Sequence, residues 1–215
     1  MHIIDKKGAF ERVANGQTVA LELGCGNFRR DPAAIGIDLM DYPSVDLVGD
    51  VFEVLGHFPD NSVERISSSH FMEHVSDLPR LLAELSRVLI PAGRVFAIVP
   101  HFSNSFYYSD PTHRSPFGLY TMAYFCEQRI FSRDVPSYAL GVPMVLDKVH
   151  LRFKSIRPRY LSHAIKRFFG LIVNSSTWMM ERYEENLCWI FPCYEIHMEL
   201  HKKDAADPSA VRAKD

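Results

Sequence analysis

The first hundred residues alternate between two hydrophobic periods. Short, nearly unbroken apolar runs at residues 18–23 (TVALEL), 34–39 (AIGIDL) and 45–50 (VDLVGD) have the length and character of strands buried on both faces. A fourth run, residues 63–69, follows the turn-forming PDNS of residues 59–62. The period then changes. Leu78, Leu81, Leu82, Leu85, Val88 and Leu89 share one face of a helix, which Ser76 or Asp77 can cap and which tolerates Pro79 in its first turn. IPAG at 90–93 stops that helix, and residues 94–99 (RVFAIV) read as a fifth strand. Doubly buried strands separated by helices or short crossovers predict an α/β fold, with a Rossmann-like, doubly wound, mostly parallel sheet.

The second half is less regular. Residues 102–131 are dense in aromatics, a helical stretch runs from about 160 to 185, and residues 195–201 alternate as a last strand. The expected organisation is a single domain over residues 1–203. Its cofactor-binding core covers about 18–101, an aromatic-rich helical insertion or lid about 102–193, and a final strand about 194–202. Residues 204–215 lack apolar content and are expected to be a disordered tail.

Composition narrows the functional classes. With 47% hydrophobic residues, 23% charged residues and a formal net charge of −2 over 215 residues, the chain gives no reason to expect nucleic-acid binding. No apolar run approaches a membrane span of about 18–20 residues. The charged N-terminus lacks the apolar core of a signal peptide, so the expected compartment is the cytoplasm. Four separated cysteines without a CxxC pair read as reduced thiols.

Residues 70–74, HFMEH, match the H-x-x-E-H pattern of some zinc hydrolases. Zinc ligation there needs both histidines one turn apart on a stable helix, whereas this string joins the end of strand four to a helix cap. No metal site is therefore expected. The stronger signal is positional. GCGN at 24–27, Asp38, Asp50, His70 and Pro100–His101 fall at the carboxyl ends of five successive strands, where open α/β sheets bind ligands. A dinucleotide fold would want a third glycine at Arg29 and an acid about twenty residues after the first glycine. Asp38 comes too soon, which disfavours an NAD(P)-dependent oxidoreductase. S-adenosylmethionine lacks that phosphate requirement; it needs an acid for its ribose, a polar partner for its adenine and acceptors for its ammonium.

LELGCGN, IGIDL, VGD, SSSHFMEHV, LPRLLAELSRVLIPAGRVFAIVPHF and DPTHR, in that order, resemble class I S-adenosylmethionine-dependent methyltransferases, and most closely their type 11 group. The resemblance spans roughly residues 18–116. It implies S-adenosyl-L-methionine as cofactor and S-adenosyl-L-homocysteine as product. It places the methionine part of the cofactor at Gly24, Cys25, Gly26 and Asn27 with Glu22 nearby, the ribose at Asp38 beside Leu39, and the adenine by Asp50 and Val51. The contact after strand four falls on His70 and Phe71. The short first crossover and Phe28-Arg29-Arg30 after the glycine loop depart from the family pattern.

Methyl transfer from a sulfonium is an in-line displacement, so positioning dominates and a hydroxyl acceptor also benefits from a general base. His70, His74, His101 and His113 are candidates, with Asp110 and Glu73. His113, oriented by Asp110 in the segment after strand five, is the favoured catalytic base, against the alternative of a simple turn with an exposed histidine. YYSDPTHRSPFG looks like methyltransferases associated with bacterial surface-polysaccharide and glycan assembly, which makes a sugar or other small-molecule hydroxyl the expected acceptor. The other options are an N- or carboxyl-methyltransferase and a catalytically silent cofactor-binding subunit. A basic cluster, Arg152, Lys154, Arg157, Arg159, Lys166 and Arg167, ahead of FFGLIV and TWMM raises weak association with a membrane surface. Oligomeric state cannot be read from the sequence.

Overall fold

The computed structural model describes residues 3–136, 138, 142–156 and 158–204. Along the chain run β1 (Ile4–Asp5), α1 (Ala9–Ala14), β2 (Val19–Leu23), β3 (Ile35–Asp38), β4 (Leu47–Val48) and α2 (Val51–Leu55). Next come β5 (Val63–Ser69), α3 (Leu78–Val88), β6 (Leu89–Pro100) and β7 (Glu127–Gln128). The last elements are β8 (Met144–Arg152), α4 (Tyr160–Val173), α5 (Thr177–Asn186) and β9 (Glu195–Lys202).

Among the described residues the strands form one sheet in the order β1-β4-β3-β2-β5-β6-β9-β8-β7. The central pairs, from β4 through β6, are parallel, and β9 runs antiparallel between β6 and β8. The Rossmann-like, mostly parallel α/β architecture expected from the hydrophobic pattern is the one observed. Every residue of β2 is buried, as a central strand covered on both faces requires. Leu21, Leu23, Ile35, Ile37 and Ile66 are almost wholly removed from water, each contributing roughly 1.5–3 kcal/mol of transfer free energy. The chain runs outward from β2 through β3 to β4 and then crosses back through α2 to β5 on the other side of β2, so the switch point lies at the carboxyl ends of β2 and β5.

Helix α3 begins where the sequence signals place it. The Asp77 carboxylate accepts from the Arg80 backbone N–H at 3.0 Å, and Leu78, Leu81, Leu82, Leu85 and Val88 form its buried stripe. The helical stretch expected over 160–185 is two helices. Asn174 ends α4 by bonding the Leu151 N–H and both the Leu151 and Gly170 carbonyls, which pins the helix end to β8. Ser176 then caps α5 by accepting from the Met179 N–H.

Strand β8 was not evident from the sequence. Its inward residues are Met144, Leu146, Val149 and Leu151, a period-2 pattern that slips by one residue where the pairing with β9 shifts between Leu146 and Lys148. The segment 102–193 thus supplies part of the sheet as well as α4 and α5. Apart from Asp204, the tail expected to be disordered lies outside the described residues, as does Arg157 of the basic cluster.

Candidate active site

A cleft of about 240 Å³ opens at the switch point, lined by Gly24, Asp38, Leu39, Asp50, Val51 and Phe71 among others. These are six of the eleven residues assigned to the cofactor from the sequence; Glu22, Cys25, Gly26, Asn27 and His70 are not among the cleft-lining residues. His74, Val75 and Ser76 complete the far wall.

Gly24 has φ +63°, and a Cβ there would stand 2.7 Å from Cβ and Cδ2 of Phe71. Only glycine combines that backbone conformation with that approach. Gly26 is also left-handed, at φ +54°, but a Cβ on it would meet nothing within 4 Å. Gly24→Ala is therefore expected to displace Phe71 into the cleft and weaken binding of S-adenosylhomocysteine about tenfold or more, beyond the roughly 1–2 kcal/mol of backbone strain. Gly26→Ala is expected to show the strain alone. Urea unfolding and calorimetric titration of the two variants separate the effects; equal binding losses would remove Phe71 from the explanation.

Asp38 joins the turns after β2 and β3. Its Oδ2 accepts from the Gly26 N–H at 2.8 Å and its Oδ1 from the Met40 N–H at 2.9 Å. Asp50 caps α2 through Oδ1, which accepts from the Phe52 and Glu53 N–H groups, so Oδ2 is the oxygen the cap does not use. The short crossover contains no helix. Buried Glu22 fixes it instead, its carboxylate accepting from the Arg30 and Asp31 N–H groups at 2.9–3.0 Å. Arg29 turns inward to pair with buried Asp46 and to donate to the Ala34 carbonyl, filling the space a longer crossover would occupy. Burial, with the nearby Asp38 and Glu22 charges, pushes the Cys25 thiol up to about 11, so it stays protonated.

His70 ends β5 with φ +54°, uncommon for a non-glycine residue. Its imidazole stands between two buried carboxylates, Nε2 3.4 Å from Glu195 Oε2 and Nδ1 3.3 Å from Glu73 Oε1. Hydrogen bonds to Glu195 and then Glu73 raise its pKa to about 9, leaving it a cation at neutral pH. A protonated His70 cannot serve as a general base. Burial opposes the charge on Glu195, but hydrogen bonds from His197, His70 and Lys154 hold its carboxyl well below the usual range.

The H-x-x-E-H string does not form the helical zinc arrangement. Residues Met72–His74 make a single 3-10 turn, and His70 is engaged with Glu195. The three metal-capable groups that do gather among the described residues are Glu73, His74 and His113, one ligand-type atom from each lying within 4.8 Å of the others. Glu73 is 1% exposed, and among the described residues His70 Nδ1, 3.3 Å from Oε1, is the one polar side chain that meets its carboxylate. Its backbone carbonyl accepts from the Arg114 and Ser115 N–H groups, which fastens the DPTHR loop onto the turn after β5. The sequence offered Glu73 as a candidate base; its burial beside two histidines arises from the docking of that loop.

His113 is held by a group that the sequence did not reveal. Its Nδ1–H donates to the Tyr107 carbonyl at 2.7 Å, and its ring stacks on Tyr107 at 4.7 Å. Asp110 Oδ2 is 3.8 Å from His113 Nε2, beyond hydrogen-bonding range, while Oδ1 accepts from the Thr112 N–H and hydroxyl. The Thr112 contacts hold the Asp110 carboxyl below its usual value. Because the Thr112 hydroxyl proton goes to Asp110, its oxygen receives the His74 Nδ1–H at 2.9 Å. In the neutral form of either ring the lone pair is therefore on Nε2, and the two rings are 4.8 Å apart. His101 differs. It is fully buried, Nδ1 accepts from the Ser103 N–H, and Nε2 meets Glu184 at 3.1 Å, a satisfied core histidine. Of the aromatics in residues 102–131, Tyr107 and Phe117 are core, and Phe106 and Tyr108 are largely exposed.

The methyltransferase domain family model, type 11, matches residues 21–97, the span that carries β2 to β6 and the cleft. Over residues 21–97 the chain carries a methyltransferase domain. Its cofactor is S-adenosylmethionine, and the glycine approach at Gly24 with the two acids on the cleft wall suits a phosphate-free nucleoside. The fold of this methyltransferase is shared by a SAM-dependent methyltransferase from Archaeoglobus fulgidus, at 17% identity and TM-score 0.55, over 90% of this chain and 92% of that one. A Bacillus halodurans C-125 protein assigned as a methyltransferase aligns at 13% identity and TM-score 0.54, over 92% of this chain and 100% of that one. Among curated proteins none matches the methyltransferase. No helix of the described residues is long and apolar enough to cross a membrane.

Proposed function

We propose that this methyltransferase methylates a hydroxyl of a sugar or other small molecule, with His113 as the proton acceptor. The observation that carries the proposal is the tautomer imposed on His113. Donation of its Nδ1–H to the Tyr107 carbonyl leaves Nε2 with a lone pair, beside His74 on the cleft wall. Bound S-adenosylmethionine supplies a methyl group already activated on a sulfonium. The protein's tasks are then to align the acceptor and to remove its proton. Glu73 and Asp110 stand on either side of the His113 ring, Asp110 Oδ2 at 3.8 Å from Nε2.

In this reading Asp38 and Leu39 hold the ribose, and Asp50 Oδ2 and Val51 the adenine. Gly24, Cys25, Gly26 and Asn27 approach the methionine part with their backbone. Glu22 shapes that loop through Arg30 and Asp31. His70 contributes a fixed positive charge, and Phe71 closes the cleft against Gly24. The sugar assignment, and with it a place in polysaccharide biosynthesis, rests on the resemblance of YYSDPTHRSPFG.

The test is an acceptor screen that follows released S-adenosylhomocysteine, with hydroxyl, amine and carboxylate acceptors in parallel and metal content measured on the same preparation. Turnover confined to hydroxyls is expected. Turnover on amines alone would overturn the hydroxyl assignment. Stoichiometric bound metal would occupy the nitrogen assigned to proton transfer and overturn the role of His113.

A further inference from the structure

Helix α4 carries an apolar face that none of the described residues covers. Gly170 and Val173 are buried, and Gly170 admits the ring of Phe153, to which a Cβ there would approach within 3.0 Å. The opposite face carries Leu161, Ile165, Phe168, Leu171 and Ile172, with Leu161, Phe168 and Leu171 respectively 76%, 67% and 73% exposed. Their spacing of three, four and seven residues makes one continuous stripe. Monomeric soluble proteins rarely leave such a patch bare. At 14 residues the helix is too short to span a bilayer, so a membrane role means lying on the surface.

Charge identifies what covers it. From Lys148 to Met180 the chain has Lys148, Arg152, Lys154, Arg157, Arg159, Lys166 and Arg167 and no aspartate or glutamate, although its formal net charge is −2. Arg159 and Lys166 line a second cleft, of about 360 Å³, with Lys154, Asn104, Ser105 and Phe106. Lys154 is engaged by Glu195 at 2.9 Å, whereas Arg159 and Lys166 make no ion pair among the described residues. Ser105 and Phe106 begin the loop that continues to Asp110 and His113, so the cleft opens on the acceptor side of the protein. Two copies meeting through α4 would bring like charges at Arg159, Lys166 and Arg167 together; an anionic surface neutralises them.

We propose that α4 and the basic cleft at its start dock on an anionic lipid surface. The apolar stripe enters the headgroup boundary, and Arg159 at the helix start and exposed Arg167 beside Leu171 bind lipid phosphates. The docking does not depend on the acceptor assignment. It would bring a membrane-anchored acceptor to the loop bearing His113.

The test is cosedimentation of the full chain with vesicles of phosphatidylcholine alone and of phosphatidylcholine mixed with phosphatidylglycerol. Binding to the anionic vesicles, weakening as salt rises, is expected. Charge reversal in Arg159→Glu/Arg167→Glu and stripe disruption in Leu161→Asp/Phe168→Asp should each reduce it about tenfold or more. Circular dichroism and S-adenosylhomocysteine affinity should remain unchanged, which separates lost docking from lost fold or lost cofactor site. Failure to pellet with anionic vesicles, or pelleting unaffected by both pairs, overturns the proposal. So does a lipid-independent dimer that Phe168→Asp dissociates.

Discussion

Asp38→Ala is expected to weaken binding of S-adenosylhomocysteine by about 10²-fold or more in a calorimetric titration. Hydrogen bonds to a charged acceptor are each worth about 1.5–3 kcal/mol, and a ribose offers two hydroxyls to one carboxylate. The carboxylate already accepts from Gly26 and Met40, one bond on each oxygen, so it is held rigidly with a further lone pair on each atom. Removing it takes away the ribose acceptors and also frees the Gly26 turn. Asp38→Asn tests the two parts separately. The amide keeps one acceptor oxygen and the side-chain shape, and should fall between the wild type and the alanine variant. A folded Asp38→Ala protein with wild-type affinity would remove Asp38 from the ribose contact. Absence of binding by the folded wild type would mean that the cleft is not the cofactor site.

The second large effect is expected at His113. His113→Ala should lower turnover on a hydroxyl acceptor by about 10²-fold or more while leaving S-adenosylhomocysteine affinity nearly unchanged. The basis is geometric. Only Nε2 is free for proton transfer, because Nδ1–H is committed to the Tyr107 carbonyl. Added imidazole should restore part of the lost rate if the missing function is a base, and should do nothing if His113 only packs against Tyr107 and His74. His113→Gln complements this, since it can replace the hydrogen bond to Tyr107 but not accept the proton. Full turnover by either variant would return His113 to the structural role of a half-buried turn residue.

Much of the parallel core was legible because one-dimensional signals suffice there. The limits of β5 and the start of α3 coincide with the reading of the sequence, since PDNS, Asp77 and the leucine spacing act locally. The second half resisted for identifiable reasons. The slip between Leu146 and Lys148 breaks the alternation that would have announced β8. Asn174, Ser175 and Ser176 divide a stretch whose apolar content reads as one helix, although the Ser176 cap was there to be noticed. In the site, Asp38, Asp50 and Gly24 could be chosen because strand ends and left-handed glycines carry local signatures. The exposed stripe on α4 could not, since periodicity shows that a helix has an apolar face but not whether another element covers it.

By itself, the sequence determined the strand and helix pattern, the glycine turn after β2 and the acids at the strand ends. Each follows from a propensity or period within a few residues. The tertiary structure alone decided that Glu22 and Arg29 close the short crossover, and that His70 is held as a cation between Glu73 and Glu195. It also decided that Tyr107 rather than Asp110 sets the tautomer of His113. Protonation and tautomer depend on atoms brought together from distant positions, so they exist only once the loops after β5 and β6 have docked on each other.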